Sequence, residues 1–257
     1  HVVKLDKIGN LYKPNSENKL IIKKNKILSK PLSNLVNLIV DYIKLNIDDD
    51  YHSIYLRGSC LDLDLMDKRI FDIDINVICK HGNESFCNSV FLREHKDNII
   101  KQMHEIYKFS IYPDIHFFSK FSWIKRPIHR LYSIKIDGEE DLSISSLDMN
   151  ELFLYLKKIL NNEYYSYMDK IEIGKKSRFV IKQFYRIFGG LELLNNGMFS
   201  RSIYYCHTAL VKKYPQHSDL LEEMVDLFLN YEDIDNLIKY RETITSIYKN
   251  TKLMLQL

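Results

Sequence analysis

Along the chain the apolar residues change period four times. Between Ser33 and Ile47, Leu35, Leu38, Ile39, Tyr42 and Ile43 recur at three- and four-residue intervals, which predicts a helix with Ser33 as its N-cap. The period then drops to two. Ile54 and Leu56 predict a short strand running into Arg57-Gly58-Ser59, and Phe71, Ile73, Ile75 and Val77 alternate as a second. Residues near 86–107 return to helical spacing, Ile111 to Phe118 alternate as a third strand, and Leu131 to Ile136 give a fourth. From about residue 146 only helical spacing remains. Leu152, Tyr155, Leu156 and Ile159 share one face, and Val180, Phe184, Ile187, Leu191 and Leu194 form a stripe. Ile203, His207 and Leu210 continue it, then Leu220, Met224, Leu227 and Phe228, and Leu237 to Ile247 predicts a last helix. Strands mixed with helices first, then helices alone, predict two domains: α+β over 1–145 and all-α over 146–257. The Asn/Lys-rich residues 1–30, with Pro14 and Pro31 as breaks, read as a loosely packed arm or a short strand belonging to the first domain.

Composition narrows the class without choosing a function. The 257 residues are 46% hydrophobic and 28% charged, and 5 Pro and 8 Gly exclude collagen-like and Pro/Gly-rich disordered chains. A balance of 37 basic against 34 acidic residues, net +3, tolerates a nucleic-acid partner but does not require one. Cys60, Cys79, Cys87 and Cys206 form no C-x-x-C pair, which argues against a zinc site and fits a reducing compartment. The Lys-rich start lacks the apolar core of a secretory leader, and no apolar run approaches a bilayer span. The expectation is a cytoplasmic protein without a membrane partner.

The informative stretch is Gly58-Ser59, twelve residues, then Asp72-Ile73-Asp74-Ile75. In a strand Asp72 and Asp74 point to the same side, roughly 7 Å apart, where two carboxylates repel. A divalent cation resolves that repulsion, and hard oxygen ligands suit Mg²⁺, which also binds phosphates. Gly58 lets a phosphate approach the backbone, and Ser59 with a following helix N-terminus can donate to it. A phosphate clamp beside paired carboxylates implies phosphoryl or nucleotidyl transfer. Asp114, in Tyr112-Pro113-Asp114-Ile115-His116, adds a third carboxylate if its strand neighbours the Asp72/Asp74 strand, as metal ligand, general base or both.

Gly58-Ser59 followed by Asp72-Ile73-Asp74-Ile75 resembles the signature of the DNA polymerase β-type nucleotidyltransferase superfamily. In the second half, Arg186-Ile187-Phe188, the loop Asn195 to Arg201, Leu210 and Lys213-Tyr214-Pro215 are similar to the helical domain of aminoglycoside 3''-type (streptomycin/spectinomycin) adenylyltransferases. The resemblance spans residues 50–230. It implies a nucleotidyltransferase domain, a mixed β-sheet flanked by helices, followed by a helical bundle. It further implies AMP transfer from Mg-ATP, through two Mg²⁺ ions, to a hydroxyl of an aminoglycoside or aminocyclitol antibiotic. By the same resemblance Asp72 and Asp74 are the metal pair, and Asp114 stands at the catalytic carboxylate, where a Glu is usual. Gly58, Ser59, Arg186 and Arg201 become nucleotide contacts.

Two features pull the acceptor elsewhere. Gly174-Lys175-Lys176-Ser177-Arg178 is basic where a polycationic drug would call for acid, and Asp62, Asp64 and Asp67 make the interval between the motif halves acidic. RNA or a protein hydroxyl is therefore the alternative acceptor, and a nucleotide-binding relative without activity is the other alternative. The nine histidines form no i, i+4 ligand pair, so His116 and His129 read as packing or surface residues. Trp123 reads as core, with stacking on a base or sugar as the alternative.

Overall fold

The computed structural model describes residues 9–24, 28–47, 51–58, 72–80, 112–171, 177–230 and 240–255, with single positions 7, 61, 98, 101 and 105. The chain divides into two compact units. One spans Ile21–Leu147; the other joins the described residues up to Leu20 to those from Asp148 onward.

In the first unit, helix α1 (Lys30–Ile47) precedes strands β2 (Tyr51–Arg57), β3 (Asp72–Cys79), β4 (Tyr112–Ser119) and β5 (Ser133–Gly138). They form one sheet in the order β4-β3-β2-β5. The β2 strand runs antiparallel to both β3 and β5, whereas β3 and β4 are parallel, so the sheet is mixed. A parallel pair needs a crossover. Most of the residues between β3 and β4, including the helix expected near 86–107, lie outside the described residues; Asn98, Lys101 and Glu105 carry helical backbone.

One sheet face is a closed apolar layer. Leu32, Leu35, Val36, Ile39, Val40 and Ile43 of α1 are buried against Ile54, Leu56, Ile73, Ile75, Val77, Ile115, Phe117 and Ile134. That is the i, i+3, i+4, i+7 stripe of a helix meeting the period-two stripe of strands. The helix begins at Lys30, three residues before the expected N-cap. The Ser33 amide is already bonded to the Ser29 carbonyl (2.8 Å). Pro31 falls in the first turn, where a missing N–H costs nothing, so it starts the helix rather than breaking the chain.

The opposite face is divided. Its aromatic end packs Trp123, in the short helix α2 (Lys120–Ile124), against Tyr55, Ile78, Phe118 and Leu142. Ring centroids lie 5.1 Å (Tyr55–Trp123) and 5.5 Å (Phe118–Trp123) apart, within the range for favourable aromatic pairs. Trp123 is fully buried, a core residue. Helix α3 (Pro127–Leu131) leads into β5, and β6 (Ser146–Asp148) pairs with β1 (Lys19–Ile21).

The second unit is helical: α4 (Met149–Ile171), α5 (Ser177–Phe184), a π-helical turn (Tyr185–Gly189), α6 (Gly190–Asn195), α7 (Ile203–Lys213), α8 (Ser218–Asn230) and α9 (Arg241–Met254). Asp148 caps α4, its Oδ1 accepting from the amides of Asn150 (2.8 Å) and Glu151 (3.2 Å). The expected stripe is buried at Val180, Phe184, Ile187 and Leu191, with Leu194 half-buried. Gly189 lets the π turn touch α7: a Cβ there would lie 2.5 Å from the Cys206 carbonyl oxygen. The last helix starts at Arg241 and runs to Met254, past the expected end at Ile247; residues 237–239 lie outside the described residues.

The arm corrects the expected partition. Its residues 9–20 belong with the helical unit, not with the sheet domain. Tyr12 and Phe199 exchange both backbone hydrogen bonds (2.8 and 2.9 Å), and Ser200 Oγ donates to the Asn10 carbonyl (2.6 Å). These bonds satisfy backbone groups that a loose arm would leave to water.

Candidate active site

The polar end of the divided face is built by register. Asp74 on β3 stands opposite Asp114 on β4 and opposite Arg57 on β2, so Asp114, Asp74 and Arg57 form one row across three strands. Adjacent strands lie about 4.8 Å apart, so this row brings the two carboxylates together with a guanidinium alongside. Asp72 sits two residues earlier on β3, opposite Tyr112. Its side chain, like Ser59 and Lys175-Lys176, is outside the described residues.

Each described carboxylate has a partner. Asp74 Oδ1 lies 3.4 Å from Arg57 Nη2, with the two side chains only 16% and 13% exposed. Asp114 Oδ1 lies 3.0 Å from His116 Nε2, both about half exposed. Residues 114 and 116 share a strand face, so this contact follows from the period of two. Gly58 closes the row: its φ is +96°, a region that favours glycine, and a Cβ there would collide with Asp74 Oδ2. Further along the same face Asn76 is fully buried, set between Tyr55 and His116, and neither its Oδ1 nor its Nδ2 makes a hydrogen bond.

Arg186 and Arg201 belong to the helical unit, where they meet. Arg186 Nε donates to the Arg201 carbonyl (3.2 Å). Both lower the thiol pKa of Cys206, but complete burial outweighs them and pushes it up to about 12. That thiol is inert at neutral pH.

Among the described residues no three His, Cys, Asp or Glu side chains converge as a metal cage. The donors still suit a hard cation. Asp74 and Asp114 supply oxygens from neighbouring strands, Asp72 lies two residues before Asp74 on β3, and Gly58 leaves open the space at Asp74 Oδ2. Sequence reasoning passed over Arg57 and Asn76 as site residues and read His116 as a packing or surface residue. The signal for His116 was its spacing of two from Asp114, and for Arg57 its place directly before Gly58.

The described residues form a mixed α+β sheet domain and an all-α domain, with a carboxylate row across β4 and β3 beside the Gly58 turn. Among solved structures the chain is similar to spectinomycin adenyltransferase AAD(9) from Enterococcus faecialis, determined with ATP and spectinomycin. The two share 12% identity at a TM-score of 0.52, over 86% of this chain and 99% of that one, so the likeness is one of fold. No family model and no curated protein sequence matches the chain. No helix among the described residues is long and apolar enough to cross a membrane.

Proposed function

We propose that this protein is an adenylyltransferase that moves AMP from Mg-ATP to a hydroxyl of a small acceptor of the aminoglycoside or aminocyclitol type. The observation that carries the reading is the in-register pairing of Asp74 with Asp114 on one sheet face beside Gly58. The acceptor class rests on the shared fold with a protein whose structure holds ATP and spectinomycin.

Asp72, Asp74 and Asp114 would hold Mg²⁺, one ion or two. Bound there, Mg²⁺ supplies charge neutralisation for the departing pyrophosphate and acidifies the acceptor hydroxyl. Asp114, the more exposed of the two described carboxylates, takes the hydroxyl proton. The acceptor oxygen bonds to the α-phosphorus as the bond to the bridging oxygen breaks, and pyrophosphate leaves. Gly58 and Ser59 receive the phosphates, and Arg186 and Arg201 are further phosphate contacts.

The test is transfer of label from α-³²P-ATP with Mg²⁺ to a panel of aminoglycosides and aminocyclitols and to bulk tRNA, beside Asp74→Ala. Label on a drug, lost in the variant, is the expected result. Label on RNA alone would replace the acceptor and bring in the basic segment 174–178. No label and no ATP binding would overturn the reading.

A further inference from the structure

The Arg57–Asp74 pair occupies the place where the proposed chemistry needs a cation. Both side chains are more than four-fifths buried, and a guanidinium cannot shed its charge at any physiological pH. The separation of 3.4 Å is long beside the ~2.7–2.9 Å of a strong charge-assisted bond. A divalent cation on Asp74 would face a fixed positive charge a few ångströms away, and like charges at that range disfavour one another strongly. Arg57 is also the last residue of β2 and precedes Gly58 directly, so its side chain starts from the turn assigned to the phosphates.

We infer that Arg57 is an exchangeable counter-ion: it neutralises Asp74 when no cation is bound and turns to the phosphates of a nucleoside triphosphate when the carboxylates are taken. The proposal rests on the nucleotidyl-transfer reading. It assigns Arg57 two partners used in turn, and so gives one residue opposite effects on two ligands. The planar guanidinium suits both, since carboxylate and phosphate present the same paired oxygens.

The experiment is calorimetry on the full chain with Mg²⁺ alone and then with ATP plus Mg²⁺, for wild type and Arg57→Gln. Removal of the competing charge is expected to tighten Mg²⁺ alone by about tenfold, the lower end of what one opposite charge does at this range. The same variant should bind ATP with Mg²⁺ about tenfold more weakly, because a charged phosphate contact is lost. Asp74→Asn supplies an independent reading that does not need Arg57→Gln to fold. It releases Arg57, so ATP in the presence of a chelator should bind this variant more tightly than wild type, and Asp74→Asn/Arg57→Gln should lose that gain. If Arg57→Gln binds Mg²⁺ no more tightly than wild type, or Asp74→Asn gains nothing for metal-free ATP, the exchange is overturned. The transfer reading would still stand wherever wild type binds ATP with Mg²⁺ and transfers label. A wild type that binds neither Mg²⁺ nor ATP removes both.

Discussion

The two faces of the four-stranded sheet are made by the same strands and do opposite things. Ile73, Ile75 and Val77 turn toward α1 and are wholly buried, whereas Asp74 and Asn76, between them in sequence, turn to the other side. The α1 face is apolar except at its β5 edge, where Asp137 pairs with Lys44, and its contribution is burial, about 25 cal/mol per Å² removed from water. On the other face each polar group needs a partner, and register provides one for Asp74 while the strand period of two provides one for Asp114. Substitutions on the first face should therefore cost stability. Those at the polar end of the second should cost chemistry.

Neighbouring residues give the sharpest test. Asp74→Ala should reduce transfer by about 10³-fold, the scale of losing a key electrostatic group at a reacting centre. Its far-ultraviolet circular dichroism should match wild type. Ile75→Ala, one residue along and on the other face, should cost about 2–5 kcal/mol of stability by opening a cavity under α1. Its turnover per folded molecule should survive. Urea unfolding beside label transfer separates the two. A comparable loss of transfer in both variants would mean that the faces are not independent.

Gly58→Ala lies between these extremes. A non-glycine residue at φ +96° carries strain of about 1–3 kcal/mol, and its Cβ would press on the Asp74 carboxylate. It should lower the unfolding midpoint and transfer together, unlike either neighbour. Unchanged transfer would detach Gly58 from the site. At the aromatic end, Tyr55→Phe should cost about 1–3 kcal/mol, since it leaves a buried backbone donor without its acceptor. The Tyr55 hydroxyl accepts from the Leu142 amide (2.8 Å) and donates to the Glu140 carbonyl (3.1 Å). Transfer should stay near wild type; a large drop would carry the active site into the aromatic end.

How much of this was legible in the sequence follows from which contacts are local. The alternation of Phe71, Ile73, Ile75 and Val77 announced β3, and with it that Asp72 and Asp74 share a side. The carboxylate row needed more, because the pairing of Asp74 with Asp114 depends on a parallel neighbour forty residues away, and parallel register leaves no local mark. The Arg57–Asp74 pair is hidden for the same reason, through antiparallel register. His116 was readable from the period of two and was discounted because no second histidine stood near it. The arm was read with the sheet domain because it precedes that domain, yet Tyr12 finds its backbone partner at Phe199. Ser33 looked like a cap because serine favours that position, but the apolar stripe already begins at Leu32.

The contrast between groups kept charged by partners and groups kept dry extends to the helical unit, where it yields the smallest expected effect. His207 is buried on α7 with its Nε2 3.5 Å from Glu222 Oε1, without a hydrogen bond, and its ring 5.6 Å from that of Tyr185. Burial lowers its pKa, outweighing the upward pull of Glu222 and Asp226 on α8. An unfolded histidine titrates near 6.5, so below about that value the unfolded chain takes a proton that the folded chain refuses. Stability from this group is therefore complete above about pH 6.5 and is lost as the pH falls from there through the lowered folded value. His207→Gln removes the difference in proton uptake. Its unfolding midpoint should fall less than that of wild type as the pH is lowered from 7.5 toward 5, measured by urea titration at each pH. Parallel curves would mean that Glu222 and Asp226 hold the imidazole charged after all, making His207 a partnered ion like Asp74 rather than a dry one.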